Sequence, residues 1–445
     1  MDNQYFKELS HKKIVVLGYG VEGKSVVKFL SRHRIKDILV FDEKSKDVEL
    51  KECDKAVLTN KEEELKAFAP DIVFRSPGFK LARVRRILPK SEISSATKLF
   101  MRCKKGTTVG ITGTKGKSTT AKLIEAILKL NDREVFLGGN IGSSPLDFVD
   151  ELSNDSFSVI ELSSFQLMDL DEPPEIAVIL PVVVDHLDYH ESVDEYINAK
   201  KMIISKDSSQ LAIVPARETR IIEDFKGRLV TYSVEDDHAI CAIKENSFSC
   251  GESLPSFDLE QLSERLVVPQ INLACALSFC FAVGLRFDID KIEKTFFKPE
   301  FRLQLVRRIG EIKFYNDTAS TNPISTIEAA KIIKEKYILI CGGSSKGLEY
   351  QGMADFLVKQ KNLVKVLLFG QTAVQIETAL IRSGMTHEKI SVVETLDEAM
   401  NVARNDCDGI ASIVFSPASA SFDQFKNYKQ RGQVFNELVE KWPNI

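Results

Sequence analysis

Residues 106–120, with the sequence GTTVGITGTKGKSTT, constrain the fold more than any other stretch of this chain. The β-branched run from Thr107 to Thr112 predicts a buried strand, and the sequence AKLIEAILKL that follows the turn predicts a helix. The glycines between them let the backbone approach an anion, and the helix start adds a partial positive charge. The stretch therefore predicts a P-loop that binds ATP through Gly113, Thr114, Lys115, Gly116, Lys117, Ser118 and Thr119.

Two kinds of side chain in this loop have specific expected roles. Lys117 is expected to contact the β- and γ-phosphates, and the hydroxyl of Ser118 or Thr119 is expected to reach Mg²⁺. The match to the strict pattern is incomplete, because Ile111 stands where the pattern has its first glycine. An ordinary glycine turn before a helix is therefore the alternative interpretation.

A second glycine-rich turn, GYGVEG at residues 18–23, follows an apolar run and precedes a helical pattern. Asp42 ends the next apolar run, where an acid can accept a hydrogen bond from a ribose hydroxyl. This arrangement is typical of a Rossmann-like nucleotide site, although glycines that serve packing alone are the alternative. The turn at Ser76, after another apolar run, is expected to line a ligand crevice.

Length and composition restrict the class of protein. A chain of 445 residues is too long for one core, and 44% hydrophobic with 28% charged residues is typical of a soluble globular protein. The net charge of −4 gives no indication of a nucleic acid or an anionic membrane as a partner. The N-terminus lacks the apolar segment of a signal peptide, and the longest apolar run, from Ile271 to Leu285, predicts a buried helix.

The eight cysteines are scattered and form no C-x-x-C pair. Neither a structural zinc site nor a disulfide framework is therefore indicated, and buried thiols in a reducing cytoplasm are expected. The protein is expected to act in the cytoplasm as a monomer on small-molecule substrates, without nucleic acid or membrane partners.

Apolar strands that end in polar clusters recur along the whole chain, with helical patterns between them. This alternation predicts an α/β protein of three domains, because polar groups at the carboxyl ends of parallel strands mark the ligand edge of a doubly wound sheet. The predicted domains are a Rossmann-like domain at 1–104, a central P-loop ATPase-type domain with a mostly parallel sheet at 105–300, and a Rossmann-like domain at 301–445.

Several strand ends in the second domain carry groups suited to a metal–phosphate site. Glu161 is well placed to coordinate Mg²⁺, and Asn140 offers an amide at another strand end. His186 and His190 are spaced like a zinc pair, but the stretch HLDYH lacks the glutamate of H-E-x-x-H, so zinc is disfavoured. From the residues alone, His186 lies beside a phosphate-bound metal or is a loop histidine without function, and Lys200 is a solvated helix lysine.

The third domain carries three further polar turns. Asp317 follows an apolar run and could accept from a ribose or lie near ATP, and Lys346 is a cation in the glycine turn GGSSKG. The hydroxyl-rich segment 416–421 precedes a predicted helix and could form an anion-binding site. Each feature alone could be a cap or a turn, but together they indicate a ligand site.

Seven stretches, taken in order, resemble motifs of the Mur ligases. They are ITGTKGKSTT, GGNIGSSPL, ELSSFQL, DHLDYH followed by YINAK, NDTAST, GGSSKG and SPASASFDQFKNYKQRG. The resemblance covers essentially the whole chain, and ELSSFQL and the last stretch are the most specific for the branch that adds D-glutamate. It implies one domain each for a UDP-linked substrate, for ATP and for the incoming amino acid.

The resemblance also implies a reaction in peptidoglycan precursor synthesis. ATP phosphorylates the free carboxylate of UDP-N-acetylmuramoyl-L-alanine to an acyl phosphate, which the amine of D-glutamate then attacks to give an amide, ADP and phosphate. Two Mg²⁺ ions neutralise the charge shared by the phosphates and the carboxylate. Glu161 and His186 match metal ligands of the family, and Lys200 matches a carbamylated lysine; with Lys117, these are the implied catalytic residues.

The remaining implied contacts fall into three groups. Around ATP they are Asn272, Arg302 and Asp317. Around the UDP-linked substrate they are Gly18, Val21, Glu22, Asp42, Glu43, Lys44, Ser76 and Asn140. Around the amino acid they are His186, Thr321, Lys346, Ser421 and Tyr428.

The chain departs from the family pattern at several positions, which are Lys115 for asparagine, Cys275 for asparagine, Phe301 for histidine, Ala319 for lysine and Tyr428 for phenylalanine. The GGSSKG stretch also lacks the acid that often precedes its lysine. Three other functions are alternatives: an NAD-dependent dehydrogenase, a folate-type polyglutamate synthase and a non-catalytic nucleotide sensor. The first leaves the P-loop unexplained, and the second lacks a first domain like residues 1–104.

Overall fold

The computed structural model describes residues 3–43, 56–183, 189–190, 192–205, 207–235, 238–244, 247–251, 255–296 and 299–443. The chain forms two compact units, one of Met1–Leu259 with Gln270–Phe296 and one of Glu260–Pro269 with Phe297–Ile445. The predicted α/β class with mostly parallel sheets is confirmed. The division into three domains at residues 104 and 300 stays a prediction.

The first sheet of the first unit is entirely parallel and has the strand order β3-β2-β1-β4-β5. Its strands are β1 (Ile14–Leu17), β2 (Ile38–Phe41), β3 (Val57–Thr59), β4 (Ile72–Arg75) and β5 (Glu92–Ser94). Its helices are α1 (Asn3–Leu9), α2 (Val21–Arg32), α3 (Glu62–Phe68), α4 (Leu81–Ile87) and α5 (Ala96–Cys103). Every residue of β1, β2 and β4 is buried, as expected for strands covered on both faces.

The second sheet has the order β13-β12-β11-β10-β9-β6-β8-β7 and is parallel except at the β12–β13 hairpin. Its strands are β6 (Thr107–Thr112), β7 (Val135–Gly139), β8 (Phe157–Glu161), β9 (Ile176–Ile179), β10 (Leu211–Pro215), β11 (Arg228–Tyr232), β12 (Cys241–Lys244) and β13 (Ser247–Cys250). Strand β6 lies between β8 and β9. The chain order reverses at this point, and ligands of doubly wound sheets bind at such a reversal.

The helices that accompany the second sheet include the predicted apolar helix. They are α6 (Lys117–Leu130), α7 (Ser164–Leu167), α8 (Val193–Lys201), α10 (Gln270–Val283) and α11 (Ile289–Thr295), with 3₁₀ turns at Pro145–Asp147, Val149–Glu151 and Thr219–Ile221. The preceding helix α9 (Leu259–Leu266) belongs to the second unit from Glu260 onward. Helix α10 is buried along most of its length, which confirms the prediction.

Among the described residues, no helix is by itself long and apolar enough to cross a membrane, and one sharply bent pair, α9 with α10, meets that test by length and composition only.

Two cysteines of the second sheet correct the expectation that no disulfide forms. Cys241 and Cys250 are opposed in the antiparallel register of β12 and β13 and form a disulfide. A hairpin register brings them together, which their spacing alone did not reveal. The free thiols within the described residues are Cys103, Cys275, Cys280 and Cys341, which are buried, and Cys407, which is half-buried.

The sheet of the second unit has the order β14-β15-β19-β16-β17-β18, and only its β14–β15 edge is antiparallel. Its strands are β14 (Gln304–Ile309), β15 (Ile312–Asn316), β16 (Tyr337–Gly342), β17 (Leu363–Phe369), β18 (Ile390–Val392) and β19 (Ser412–Phe415). Its helices are α12 (Pro323–Ile332), α13 (Gln351–Leu357), α14 (Ala373–Arg382), α15 (Leu396–Asn405) and α16 (Tyr428–Glu440), with a 3₁₀ turn at His387–Lys389. Two apolar clusters, around Leu339 and around Ile340, form its core.

A fully buried ion pair joins the two sheets of the first unit. Arg75, the last residue of β4, donates to Asp169 at 2.6 and 2.9 Å, and neither side chain exposes more than 2% of its surface. The same guanidinium donates to the carbonyls of Phe79 and Phe165 and to the hydroxyl of Tyr189 at 2.6–2.9 Å. One side chain thus fixes the turn after β4 against the segment that follows β8.

Breaking this ion pair is expected to destabilise the protein strongly. Arg75→Met leaves Asp169 as a buried charge without its cation, which typically costs about 3–5 kcal/mol. The double variant Arg75→Met/Asp169→Leu is expected to recover most of that loss, because no charge is then left buried alone. Urea denaturation measures both effects.

The exposed pair Lys12–Glu92, 3.2 Å apart, provides the control. Glu92→Gln should change the unfolding free energy by less than about 1 kcal/mol. A single variant at Arg75 that is as stable as Glu92→Gln would contradict this account of the buried pair.

Candidate functional site

The predicted strand, glycine turn and helix of the P-loop are present. Strand β6 ends at Thr112, and α6 begins at Lys117. Gly113 and Gly116 have φ of +144° and +83°, which favours glycine. A Cβ atom at Gly113 would lie 2.5 Å from Leu180 Cβ, and one at Gly116 would lie 2.3 Å from Asn272 Nδ2. Both glycines are therefore required by conformation and by space, and the loop leads into a helix N-terminus suited to phosphate.

The side chain of Lys117 lies back along this loop. Its ammonium donates to the carbonyls of Gly113 at 3.1 Å and Thr114 at 3.0 Å. The charge is thereby held at the loop, where a phosphate group would meet it. Asn272, on α10, stabilises the loop by donating to Gly116 O at 3.0 Å and to Thr120 Oγ1, in the first turn of α6, at 2.8 Å.

Three oxygen- and nitrogen-bearing side chains converge beside the loop. Glu161, the last residue of β8, is only 2% exposed and accepts from Ser118 Oγ at 2.6 Å and from Asn140 Nδ2 at 3.0 Å. Carboxylate, hydroxyl and amide oxygens are ligands that Mg²⁺ prefers, and Mg²⁺ commonly uses one or two carboxylates together with substrate phosphates. The residues present therefore fit a phosphate-bound Mg²⁺. In the described part of the chain, no three His, Cys, Asp or Glu side chains gather into a metal-binding group.

Lys200 is buried, so the interpretation from the residues alone, a solvated helix lysine, is wrong. Its side chain is at most 1% exposed, and its Nζ donates to Gly113 O at 2.8 Å and to Thr112 Oγ1 at 3.3 Å. The same nitrogen lies 4.8 Å from the centre of the Tyr196 ring. Helix α8 packs against the P-loop, so its buried face brings this amine to the base of the phosphate site.

Tyr196 and His190 are buried near the same loop, and the interpretation of the sequence gave neither a role. The Tyr196 hydroxyl lies 2.8 Å from Thr114 Oγ1, which itself donates to Val183 O at 2.8 Å. His190 Nε2 lies 2.9 Å from Ser164 Oγ. The signals in the sequence were that Tyr196 lies in the YINAK stretch and that His190 ends the DHLDYH stretch. His186 lies outside the described residues, so its predicted metal and amino-acid contacts stay predictions.

The predicted nucleotide turn of the first sheet brings together Gly18, Asp42 and Ser76. Tyr19 N donates to Asp42 Oδ2 at 2.8 Å, and Ser76 Oγ donates to Gly18 O at 3.1 Å. A Cβ atom at Gly23 would lie 1.8 Å from Gly18 O, so the last glycine of the turn is needed for close packing. Asp42 therefore holds the loop backbone, a contact that the sequence interpretation did not include.

Other residues predicted at this turn differ in their surroundings. Val21 is 70% exposed at the start of α2. Glu43 forms an ion pair with Arg83 at 2.6 Å. Lys44 lies outside the described residues.

Glu22 is the most perturbed acid at this turn. Its Oε1 accepts from Gln166 Nε2 at 2.7 Å, and its Oε2 is buried with no hydrogen-bond partner. Burial raises the pKa of Glu22 to about 7. Gln166 belongs to the ELSSFQL stretch and also caps α7 together with Ser163. One side-chain pair thus joins the glycine turn of the first sheet to the ELSSFQL segment.

In the second unit, both carboxylate oxygens of Asp317 accept hydrogen bonds from the protein. It accepts from Ser416 Oγ at 2.6 Å and from Leu303 N at 2.9 Å. Phe301 and Leu303 have φ of +63° and +46°, so the turn around half-buried Arg302 is strained. Asp317 therefore supports this turn, in addition to any contact with a ligand.

Four of the five residues predicted to contact the amino acid belong to this unit, where they lie in loops that follow its strands or at the start of α16. Lys346 is exposed, with its Nζ 5.8 Å from the centre of the Phe422 ring, and Phe422 itself is 66% exposed. Ser421 is buried, Tyr428 at the start of α16 is 38% exposed, and Thr321 is half-buried. The cation and the aromatic ring therefore face solvent, where a small anion could reach them.

Arg431 is a functional candidate that sequence reasoning missed. It is fully buried on α16 and donates to the carbonyls of Ala420 at 2.8 Å, Ser419 at 3.0 Å and Thr318 at 3.1 Å. Burial lowers the pKa of Arg431 to about 10. Its guanidinium fixes the segment around Ser421 against the end of β15. The only signal in the sequence was its presence in the quoted stretch ending in KQRG.

Comparisons with known proteins agree on one family. Residues 111–274 match the family model of the Mur ligase middle domain. The UDP-N-acetylmuramoylalanine--D-glutamate ligase of Acetivibrio thermocellus is 33% identical over 470 residues, covering 98% of both chains. The enzyme of the same name from Clostridium tetani is 31% identical over 460 residues, with the same coverage.

Solved structures show the same fold at low sequence identity. UDP-N-acetylmuramate-alanine ligase MurC from Thermotoga maritima superposes with a TM-score of 0.60 and 17% identity, covering 97% of this chain and 100% of that one. MurF ligase from the same organism, in complex with ADP, gives a TM-score of 0.58 and 17% identity, covering 98% and 97%.

Proposed function

The chain belongs to the Mur ligase family, and on that premise we propose that it joins D-glutamate to UDP-N-acetylmuramoyl-L-alanine at the expense of ATP. The observation that carries this proposal is similarity along 98% of the chain to ligases of that name at 31% and 33% identity. The P-loop beside the Glu161 cluster supports it, because the arrangement suits phosphoryl transfer.

The chain's own groups act on the phosphates as follows. The loop N–H groups and the N-terminus of α6 bind the phosphates, and Lys117 neutralises charge as the γ-phosphoryl group moves to the substrate carboxylate. Glu161 and Ser118 would hold Mg²⁺, together with His186 and Lys200. When bound, one or two Mg²⁺ ions would supply positive charge that offsets the charge on the phosphates and the carboxylate.

The buried amine of Lys200 is proposed to carry a carbamate. Carbon dioxide adds to the neutral amine with loss of a proton, which converts a cation into a carboxylate. Burial supports this step, since a desolvated lysine loses its proton more readily than an exposed one. The carbamate would then bring a metal-binding oxygen to the loop.

The uridine diphosphate and D-glutamate are assigned to the two sheets that do not carry the P-loop. The turn around Gly18, Asp42 and Ser76 would bind the uridine diphosphate, and Thr321, Lys346, Ser421 and Tyr428 would bind D-glutamate. Each of the three predicted domains, at 1–104, 105–300 and 301–445, would bind one of the three substrates. We place the reaction in the cytoplasm and expect a monomer with small-molecule substrates.

The reaction then proceeds in two chemical steps. The substrate carboxylate takes the γ-phosphoryl group, and ADP leaves. The amine of D-glutamate attacks the acyl carbon, a proton leaves the nitrogen, and the tetrahedral intermediate expels inorganic phosphate to form the amide. Each bond formed is matched by one broken, at phosphorus in the first step and at carbon in the second.

An amino-acid screen tests the proposal. Purified protein is given ATP, Mg²⁺ and UDP-N-acetylmuramoyl-L-alanine with each of a panel of D- and L-amino acids, and phosphate release and product mass are recorded. We expect product and phosphate with D-glutamate and much less with L-glutamate. A different preferred amino acid would correct the proposed specificity for D-glutamate. If no amino acid in the panel gives phosphate release, the proposed ligase activity is refuted.

A further inference from the structure

Glu22 occupies an unusual position for an acid. It is the second residue of α2 and lies in the glycine turn that runs from Gly18 to Gly23. One carboxyl oxygen accepts from Gln166 Nε2 at 2.7 Å, and the other is buried without a hydrogen-bond partner. A buried, charged carboxylate oxygen without a donor is costly, and protonation removes that charge.

The surroundings of Glu22 favour its neutral form. The pKa of Glu22 is raised to about 7, chiefly by burial and to a smaller extent by the charge of Asp169. The Gln166 hydrogen bond and the charge of Arg75 lower the pKa but do not offset the effect of burial. Arg75, at the end of β4, is itself paired with Asp169 at 2.6 Å, so its charge is already largely balanced. At neutral pH, Glu22 is therefore close to half protonated.

An anionic ligand at the same turn would add a like charge. A glycine turn at a helix N-terminus binds phosphate through its N–H groups, and a carboxylate next to a diphosphate is disfavoured. We propose that the UDP-linked substrate binds with Glu22 as a neutral carboxylic acid, so that binding takes up a proton at this side chain. The identity of the ligand rests on the proposed function.

The proton balance gives a definite pH dependence. The carboxylate form of the protein takes one proton from solvent when the substrate binds, and the protonated form takes none. Affinity should therefore fall as pH rises above 7, by about 10-fold between pH 7 and 8.5. Glu22→Gln keeps the Gln166 contact without a titrating group, so its affinity should vary little over that range.

Calorimetry at pH 8 in two buffers of different ionisation enthalpy counts the protons directly. The probe is UDP-N-acetylmuramoyl-L-alanine without ATP, because its diphosphate is a diester and does not titrate near this pH. Because the pKa of Glu22 is about 7 in the free protein, this group is mostly ionised at pH 8, and the wild type should take up close to one proton on binding. The Glu22→Gln variant should take up no proton. The control is Glu92→Gln, which alters the exposed Lys12–Glu92 ion pair and should take up as many protons as the wild type.

Each outcome decides the proposal. Binding by the wild type without proton uptake overturns it, and so does uptake that persists in Glu22→Gln, because another group would then be responsible. If Glu22→Gln does not fold, the proton count and the pH dependence of the wild type still decide. Failure of the wild type to bind this substrate would instead refute the proposed function.

Discussion

Lys117→Ala is expected to lower kcat by about 10³-fold or more while the protein stays folded. The ammonium of Lys117 lies against the P-loop, within hydrogen-bond distance of the carbonyls of Gly113 and Thr114. Its charge is most needed when the γ-phosphoryl group is in transfer, so its loss should lower kcat more than the affinity for ATP. Steady-state kinetics with ATP and both substrates measure the two effects separately.

Lys129→Ala is the matched control, since that lysine lies on the same helix and is paired with Glu125 at 2.8 Å near solvent. It should leave kcat unchanged. Equal unfolding midpoints for the two variants would show that the loss at Lys117 is not a loss of fold. A kcat for Lys117→Ala within about threefold of the wild type would remove this lysine from the phosphoryl-transfer step.

Lys200→Ala is expected to lower kcat by about 10²-fold or more, and added formate or acetate should restore part of the activity. The substitution empties a buried space beside Gly113 and Thr112, into which a small carboxylate can enter. Rescue by a carboxylate identifies the lost group as the carbamate. Rescue by a small amine, and not by a carboxylate, would show that the ammonium itself is used.

Lys201→Ala provides the comparison for this experiment, because Lys201 is the next residue of α8 and is 35% exposed beside Glu223. It should retain full activity and show no response to formate. If Lys200→Ala is as active as Lys201→Ala, the buried lysine serves packing alone.

Local patterns were sufficient to predict much of the fold. The strand and helix around the P-loop follow from a β-branched run, two glycines and a periodic apolar sequence, each within a few residues of the next. The turn at Gly18 and a buried helix in the apolar run from Ile271 to Leu285 were predicted from similar local patterns, and the helix is observed at Gln270–Val283. The convergence of Ser118 and Glu161 followed from the rule that parallel strands end at one edge.

Contacts between distant residues could not be predicted in this way. Burial of Lys200 depends on how α8 packs against β6, and the pairing of Cys241 with Cys250 depends on a hairpin register. The Arg75–Asp169 ion pair and the Arg431 contacts likewise join segments that no local pattern relates. Lys200, Arg75 and Arg431 are each buried because a partner far along the chain satisfies the polar end of the side chain.

The roles of individual substrate contacts stay predictions. Asp42 and Asp317 lie at the expected strand ends, but both carboxylates also hold their own turns. A family pattern locates such residues without distinguishing support of a loop from contact with a ligand. Lys44 and His186 lie outside the described residues, so ligand binding by their variants has to test them.

The central claim is that the substrate carboxylate becomes a phosphorylated intermediate before the amide forms. UDP-N-acetylmuramoyl-L-alanine labelled with ¹⁸O in its alanine carboxylate tests it, with mass analysis of the inorganic phosphate released during ligation to D-glutamate. We predict that one ¹⁸O atom appears in phosphate for each amide formed, because the acyl oxygen leaves with the phosphoryl group. Amide formed with unlabelled phosphate, or with the label in a nucleotide monophosphate, would contradict the account.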